Sequence, residues 1–413
     1  MKDGAFPPRE LNSAAAQSYL VLRMTGIDYE LSILKELVAI DTDVTKKTGY
    51  SECASLLSNR MRELGLKVEI FDPVDKVGDG KPRPNVIGTL DVGAEETIGL
   101  VTHYDVVPLG DNWTKDPFKL TVEGDKAYGR GAADDKSAIA TCLGAINLVR
   151  DTARFNVKLI ASPEEEIGGE WGIGYIMGEV GLRFDLGVVV DSMPNMISIG
   201  ASGVLQGEIR VFGKQGHAGY PHRADNPIPK LSRLIPAFEE FAKMRARKLS
   251  IVDAPPDSPK KKVWGRISFT MMGGGAEENI IPGEAWTRFD MRLLPEEDPS
   301  KARSEMLAFF NKTKEKLKVD ANLTFGNFSG GYLTSPSEPF VRRFADATAS
   351  VFGSPLPIAA SLGGDDGRFL ADRNIPVVSY GAIAEDSHFH GVDEFVCLKD
   401  LQNVRDVLVR LIG

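Results

Sequence analysis

Cysteine, histidine and excess positive charge are all scarce in this chain, and long apolar runs are missing. The three cysteines among 413 residues, Cys53, Cys142 and Cys397, are odd in number and far apart. That excludes a disulfide framework and a zinc ribbon, and it fits a reducing compartment, so a cytoplasmic location is expected. Lys and Arg total 49 against 58 Asp and Glu, a formal net charge of -9. Binding to a phosphate backbone needs concentrated positive charge, so nucleic acid is not an expected partner. No stretch approaches the roughly 18 to 20 apolar residues that cross a bilayer, and no membrane association is expected. The start, "MKDGAFPPRELNSAAAQSYLVLRM", carries Asp3 and two prolines without a sustained apolar core, a poor secretory signal. Residues 1–26 read as a loosely packed extension, with translation from Met24 as the alternative.

What remains is ordinary for a folded protein: 42% hydrophobic residues, in a chain long enough for two to three domains of roughly 150 residues. Leu31, Ile33, Leu34, Leu37, Val38 and Ile40 recur at helical spacing, and "SECASLLSNRMRELG" closes a second helix at Gly65. Short apolar runs then follow, "KVEIF", "NVIGTL", "TIGLVTH", "NVKLIAS" and "DLGVVVD", separated by helical segments such as 134–149 and 174–180. This alternation predicts an α/β sheet with helices on both faces. Near Ser202 the pattern changes to "VLQGEIRVFGK", a helix over 229–247, a linker "DAPPDSPKKK", the strands "WGRISFTMM" and "AWTRFDMRL", a helix over 300–317 and the strand "NLTFGNF". Strand, helix, strand, strand, helix, strand is the order of a split βαβ unit. It predicts an α+β domain inserted over 202–328, between catalytic segments 27–201 and 329–413.

Four of the five histidines, His103, His217, His388 and His390, fall in loops or at strand ends crowded with Asp, Glu and Gly. In "HYD", Asp105 stands where it can support a metal-bound imidazole of His103, although a hydrogen-bonded structural histidine reads as well. "GRGAADDK" places Asp134 and Asp135 at a helix start, as a cap or as a carboxylate bridging two ions. "SPEEEIGG" offers Glu165 and Glu166, a solvated acidic run or a pair of which one ligates a cation and the other takes a proton from its water. Asp191 closes "LGVVVDS", and "SHFHGVDEF" is a polar turn. Carboxylates mixed with imidazoles suit zinc, cobalt or manganese rather than iron–sulfur clusters or haem.

These motifs resemble, in order and from about Asp28 onward, the dinuclear zinc amidohydrolases that include aminoacylase-1, carboxypeptidase G, acetylornithine deacetylase, succinyl-diaminopimelate desuccinylase and several di- and tripeptidases. The resemblance implies a mixed-sheet zinc-peptidase catalytic domain, with an inserted ferredoxin-like lid through which the chain forms a homodimer. It implies two divalent ions, zinc foremost, with cobalt or manganese as alternatives. His103 and Asp191 would ligate one ion, Glu166 and His390 (not His388) the other, and Asp134 would bridge them. Glu165 matches the general base and Asp105 the support of His103. "GKQGHAGYPHRADNPI" resembles the lid motif whose histidine, here His217, stabilises the oxyanion. "GGGAEENIIPGEAWTRFDMR" implies Asn279 and Arg292 in substrate binding. "GGDDGRFL" resembles the substrate loop, with Arg368 for a substrate carboxylate. Relatives commonly carry Thr or Ser where this chain has Asp365. That extra charge is expected to bind substrate, disfavouring an acidic acyl group and favouring an amine.

The expected function is metal-dependent hydrolysis of the amide bond of an N-acyl amino acid, of deacetylase or desuccinylase type. The alternative is a dipeptidase or other small-peptide exopeptidase on the same site, and a non-catalytic metal-binding protein has less support.

Overall fold

Strands Asn156–Ser162, Thr97–His103 and Leu186–Val189 are almost continuously buried, the pattern of strands covered by helices on both faces. They run parallel, Thr97–His103 in the middle, with His103 opposite Ser162 and Val101 opposite Val189. Their carboxyl ends therefore leave the sheet side by side. Antiparallel strands Asn85–Leu90 and Lys67–Phe71 extend the sheet beyond Asn156–Ser162, which makes it mixed. In this computed structural model residues 26–413 are described; the N-terminal extension over 1–26, with the alternative start at Met24, lies outside the described residues apart from Gly26.

Contacts divide the chain into two compact units, one of residues up to Pro194 with Arg343–Pro355 and Tyr380–Gly413, the other of Asn195–Arg342 with Leu356–Ser379. In the first unit, helix Lys136–Val149 is buried along nearly its whole length. It packs against helices Asp28–Val38 and Leu398–Ile412 and against strand Thr97–His103, which explains its unbroken apolar and small-residue sequence. A short sheet adds a decisive pairing, Phe395–Cys397 antiparallel to Lys126–Tyr128, with Phe395 opposite Tyr128. The chain leading into the first strand thus lies beside the chain leaving the second.

The second unit contains an antiparallel sheet in the order Arg266–Gly273, Glu284–Arg292, Val204–Phe212, Ala321–Ser329. Helices Pro227–Arg247 and Pro299–Leu317 pack on it around Ile209, Phe238, Phe241, Phe289, Met306 and Phe310. The order is that of the split βαβ unit read from the sequence. The Pro/Lys-rich segment is a hairpin tip rather than a plain linker, flanked by paired strands Leu249–Asp253 and Lys262–Trp264. Strand Ile197–Ala201 belongs to this unit because it pairs with Ile358–Ser361 and Tyr332–Leu333. Among the described residues no helix is long and apolar enough to cross a membrane.

Candidate metal centre

The three parallel strands deliver His103 at the end of one, Glu165 and Glu166 just after the next, and Asp191 two residues after the third. Two groups of candidate ligands result: His103, Glu165 and Asp191, and Asp134, Glu166 and His390, with the ligand atoms within each group less than 4.8 Å apart. Asp134 links them. Its Oδ1 lies 3.1 Å from His103 Nε2 and its Oδ2 3.1 Å from His390 Nε2, so each oxygen faces a different imidazole, the arrangement that a bridging carboxylate needs. His390 Nε2 is also 3.0 Å from Glu166 Oε2. His103 Nε2 is 3.9 Å from Asp191 Oδ2.

Asp105 lies beneath the two groups, fully buried. Its Oδ1 is 3.4 Å from His103 Nδ1, and the same ring nitrogen is 3.1 Å from the Asp105 carbonyl. Its two carboxylate oxygens accept the backbone N–H groups of Glu165 and Glu166, both at 3.2 Å. One side chain therefore orients the imidazole and both glutamates, a wider task than support of His103 alone.

Adjacent acids have separate duties. Asp135 occupies the cap position of helix Lys136–Val149 but makes no capping bond; its Oδ2 accepts from the His103 backbone N–H at 3.2 Å. Glu164 is buried and pairs with Arg83 (2.7 Å) and with Lys47, so the first acid of "EEE" anchors the loop and the other two enter the two groups. Its backbone is left-handed, φ 64°, a conformation that a non-glycine residue holds only when its surroundings enforce it. Arg83→Met is expected to cost about 3 kcal/mol, the low end for breaking a buried pair because Lys47 remains. Urea unfolding measures it, and a loss under about 1 kcal/mol would show the pair to be dispensable.

The residues fit divalent cations. Glu166 Oε1 is buried with no hydrogen-bond partner, a costly state unless something binds it. Hydrogen bonds that His390 donates to the Asp134 and Glu166 carboxylates push its pKa up to about 10, and burial with repulsion from Asp134 raises that of Glu166. Burial would lower His103, but Asp105 and Asp134 hold it well above its ordinary value. The carboxylates thus demand positive charge where an ion would sit. His103, Asp191, Glu166 and His390, with Asp134 between them, would hold two ions. Glu165, in the His103 group, stands close enough to be ligand or base.

Glu394 gave no signal beyond its place in "FHGVDEF". It is fully buried and accepts from Arg130 Nη1 (2.6 Å) and from the backbone of Gly131, Ala133 and Asp134.

The other candidates belong to the second unit. His217 is exposed, and its Nδ1 accepts the Gly219 N–H at 3.0 Å; the neutral ring therefore carries its proton on Nε2, as a donor. Asn279 is its neighbour, its carbonyl accepting from the Ala218 N–H at 2.9 Å. A cleft of about 450 Å³ beside them is lined by Ala218, Asn226, Gly274, Glu278 and Ile281 among others. Arg292 is engaged by Asp290 of its own strand at 2.7 Å. Arg266, directly opposite it in the ladder, donates to Ser202 Oγ and the Leu362 carbonyl and lies over the Trp264 ring. Arg368 lies on helix Gly367–Ala371, 4.0 Å over the Phe369 ring.

Asp365, expected as the partner of a substrate amine, has partners within the chain. It is buried, its Oδ2 accepts from Tyr332 Oη (3.1 Å) and Ser379 Oγ (3.0 Å), and its Oδ1 from the Gly367 N–H (2.9 Å). Burial raises its pKa, against the hydrogen bonds from Tyr332, Ser379 and Gly367, which lower it. Asp365→Asn is expected to leave the preference between dipeptides and acylated amino acids unchanged, while Asp365→Ala loses about 1–3 kcal/mol of stability. Kinetics and thermal melts of both variants check this; a collapse of dipeptide cleavage in the folded Asn variant would restore the amine role.

Residues 99–413 match Peptidase family M20/M25/M40. The chain is 30% identical, over 92% of its length and 98% of the relative's, to the succinyl-diaminopimelate desuccinylase of Sphingopyxis alaskensis. Its fold is similar to that of an M20 family metallo-carboxypeptidase from Sulfolobus solfataricus, with a TM-score of 0.76 at 23% identity, covering 93% of this chain and 98% of that one. It also matches a dinuclear metal-binding M20 peptidase from Bacillus subtilis, with a TM-score of 0.66 at 16% identity over 95% and 98% of the chains. The match over most of the chain, on a site whose carboxylates and imidazoles divide into two cation-binding groups, shows that this metal-dependent hydrolase of amide or peptide bonds belongs to Peptidase family M20/M25/M40.

Proposed function

We propose that the chain removes the acyl group of an N-acyl amino acid, of desuccinylase or deacetylase type. The observation that carries this is the desuccinylase relative, aligned over nearly its whole length to a chain with both ligand groups in place. Two bound divalent ions, zinc foremost, would supply polarisation of the amide carbonyl and a water acidified toward neutral pH. The Glu165 carboxylate would take a proton from the attacking water and return it to the leaving amine. His217 donates from Nε2 to the developing oxyanion, a type of contact worth roughly 2.7–4 kcal/mol. Asn279, Arg292 and Arg368 hold the substrate, the arginines by its carboxylates.

An exopeptidase acting on small peptides is the second reading, supported by the peptidases that share the fold; Asp365, which the sequence offers to a substrate amine, also accepts from Tyr332 and Ser379. We assign the soluble enzyme to the cytoplasm, as a homodimer formed through the second unit. There the edge strand Arg266–Gly273 exposes Met271 and Met272, 52% and 65% accessible, a surface that a second copy would cover. The test is amine release from N-acetyl, N-succinyl and N-carbamoyl amino acids beside free dipeptides, with zinc, cobalt or manganese and a chelated control. Metal-dependent cleavage of blocked substrates supports the proposal and names the acyl group. Cleavage of dipeptides alone overturns it in favour of the peptidase.

A further inference from the structure

The two candidate ion sites are joined by more than Asp134. The antiparallel pair Phe395–Tyr128 places the loop bearing His390 beside the loop bearing Asp134, and Glu394 fastens them. Its Oε2 accepts from Arg130 Nη1 at 2.6 Å and the Gly131 N–H at 3.1 Å, and its Oε1 from the N–H groups of Ala133 at 2.9 Å and Asp134 at 3.0 Å. The Glu394 carbonyl accepts the Gly129 N–H at 2.9 Å. Arg130, equally buried, then reaches the other loop: its Nη2 donates to the Gly391 carbonyl at 2.9 Å, one residue from His390.

The loop so held is not one the backbone adopts by itself. His388, His390 and Asp393 all have positive φ, at 55°, 61° and 52°, and such conformations persist only where neighbouring bonds over-determine them. Gly131, φ 78°, completes the frame from the other side: a side chain there would meet Val106 Cγ1 at 2.8 Å. Four donors converging on one carboxylate, with a fork that ends on the neighbouring loop, specify the spacing between the Asp134 backbone and His390.

We propose that Glu394, acting through Arg130, is a positioning residue that couples the two cation sites, so that the ion on the His390 side is bound tightly only while this clamp is intact. The inference rests on the reading that five side chains, His103, Asp134, Glu166, Asp191 and His390, hold two divalent ions. Glu394 belongs to neither ligand group; it acts on where Asp134 and His390 stand. A glutamine at 394 has the same shape but turns an NH2 group toward two of the four donors.

The full chain, stripped with chelator, is titrated with cobalt(II) by calorimetry and by visible absorption, beside Glu394→Gln and Arg130→Lys. Wild type is expected to take two ions. In Glu394→Gln the tighter affinity changes little and the weaker falls about tenfold or more, in the range of losses from outer-shell changes at metal sites. At limiting metal its kcat drops with KM unchanged, and excess metal recovers much of the loss. Arg130→Lys, which cannot fork between Glu394 and Gly391, shows the same change at smaller size. It decides the matter if the glutamine variant does not fold. Two ions bound with wild-type affinities in a folded variant overturn the clamp and leave the dinuclear reading standing. Fewer than two ions on the wild-type chain overturn both.

Discussion

Glu165→Gln is expected to bind two ions per chain with native affinity and to hydrolyse its amide substrate about 10²–10⁴-fold more slowly, the usual contribution of a positioned base. The expectation follows from where Glu165 stands: its carboxylate lies in the His103 group, its backbone N–H is pinned by Asp105 at 3.2 Å, and the neighbouring Glu166 already serves the other group. An amide in place of the carboxylate keeps the volume and removes the proton acceptor. Metal content by mass spectrometry and kcat on the best substrate of the panel settle the role. Loss of an ion in the variant would make Glu165 a ligand, and near-native turnover would remove it from the proton path.

Asp105→Asn is expected to weaken metal binding or turnover by about 10–100-fold, although Asp105 reaches no ion. The carboxylate accepts from two backbone N–H groups and stands beside the His103 ring; an asparagine would turn an NH2 group toward one of those donors. One substitution should therefore disturb His103, Glu165 and Glu166 together. The diagnostic result is non-additivity: Asp105→Asn combined with Glu165→Gln loses little beyond Glu165→Gln alone, because both act on the same proton transfer. Full additivity would place Asp105 outside the path.

The strands were legible because burial on both faces leaves an unbroken apolar run, as in Thr97–His103 and Asn156–Ser162. Strand Ile197–Ala201 was missed because "ISIGA" is short and ends in small residues, and its partners, Tyr332–Leu333 and Ile358–Ser361, come from far along the chain. The candidate ligands His103 and Asp191 stand at strand ends, the places the sequence suggested. What could not be read is the division of labour among adjacent acids. Nothing in "EEE" tells that Glu164 turns to Arg83 while the next two enter the two candidate ligand groups. Asp365 is a second case. An acid in a glycine-rich loop reads as a charge offered to substrate, yet Tyr332 and Ser379 enclose it, and neither is near it in sequence. Glu394 was invisible for the same reason, since its donors lie at residues 130–134.

The order of the strands also sets the order in which the site can be born. His103, Asp134, Glu165, Glu166 and Asp191 all precede the second unit in the chain, whereas His390 and Glu394 follow it. A ribosome that has just released Asp191 has delivered the ligands of the His103 group, and the other group waits for the synthesis of the second unit and the loop after it. The residues of the His390 group are therefore complete only after the second unit has been made. The His390 side closes last, when Phe395 pairs with Tyr128 and brings the late loop onto a partner made long before.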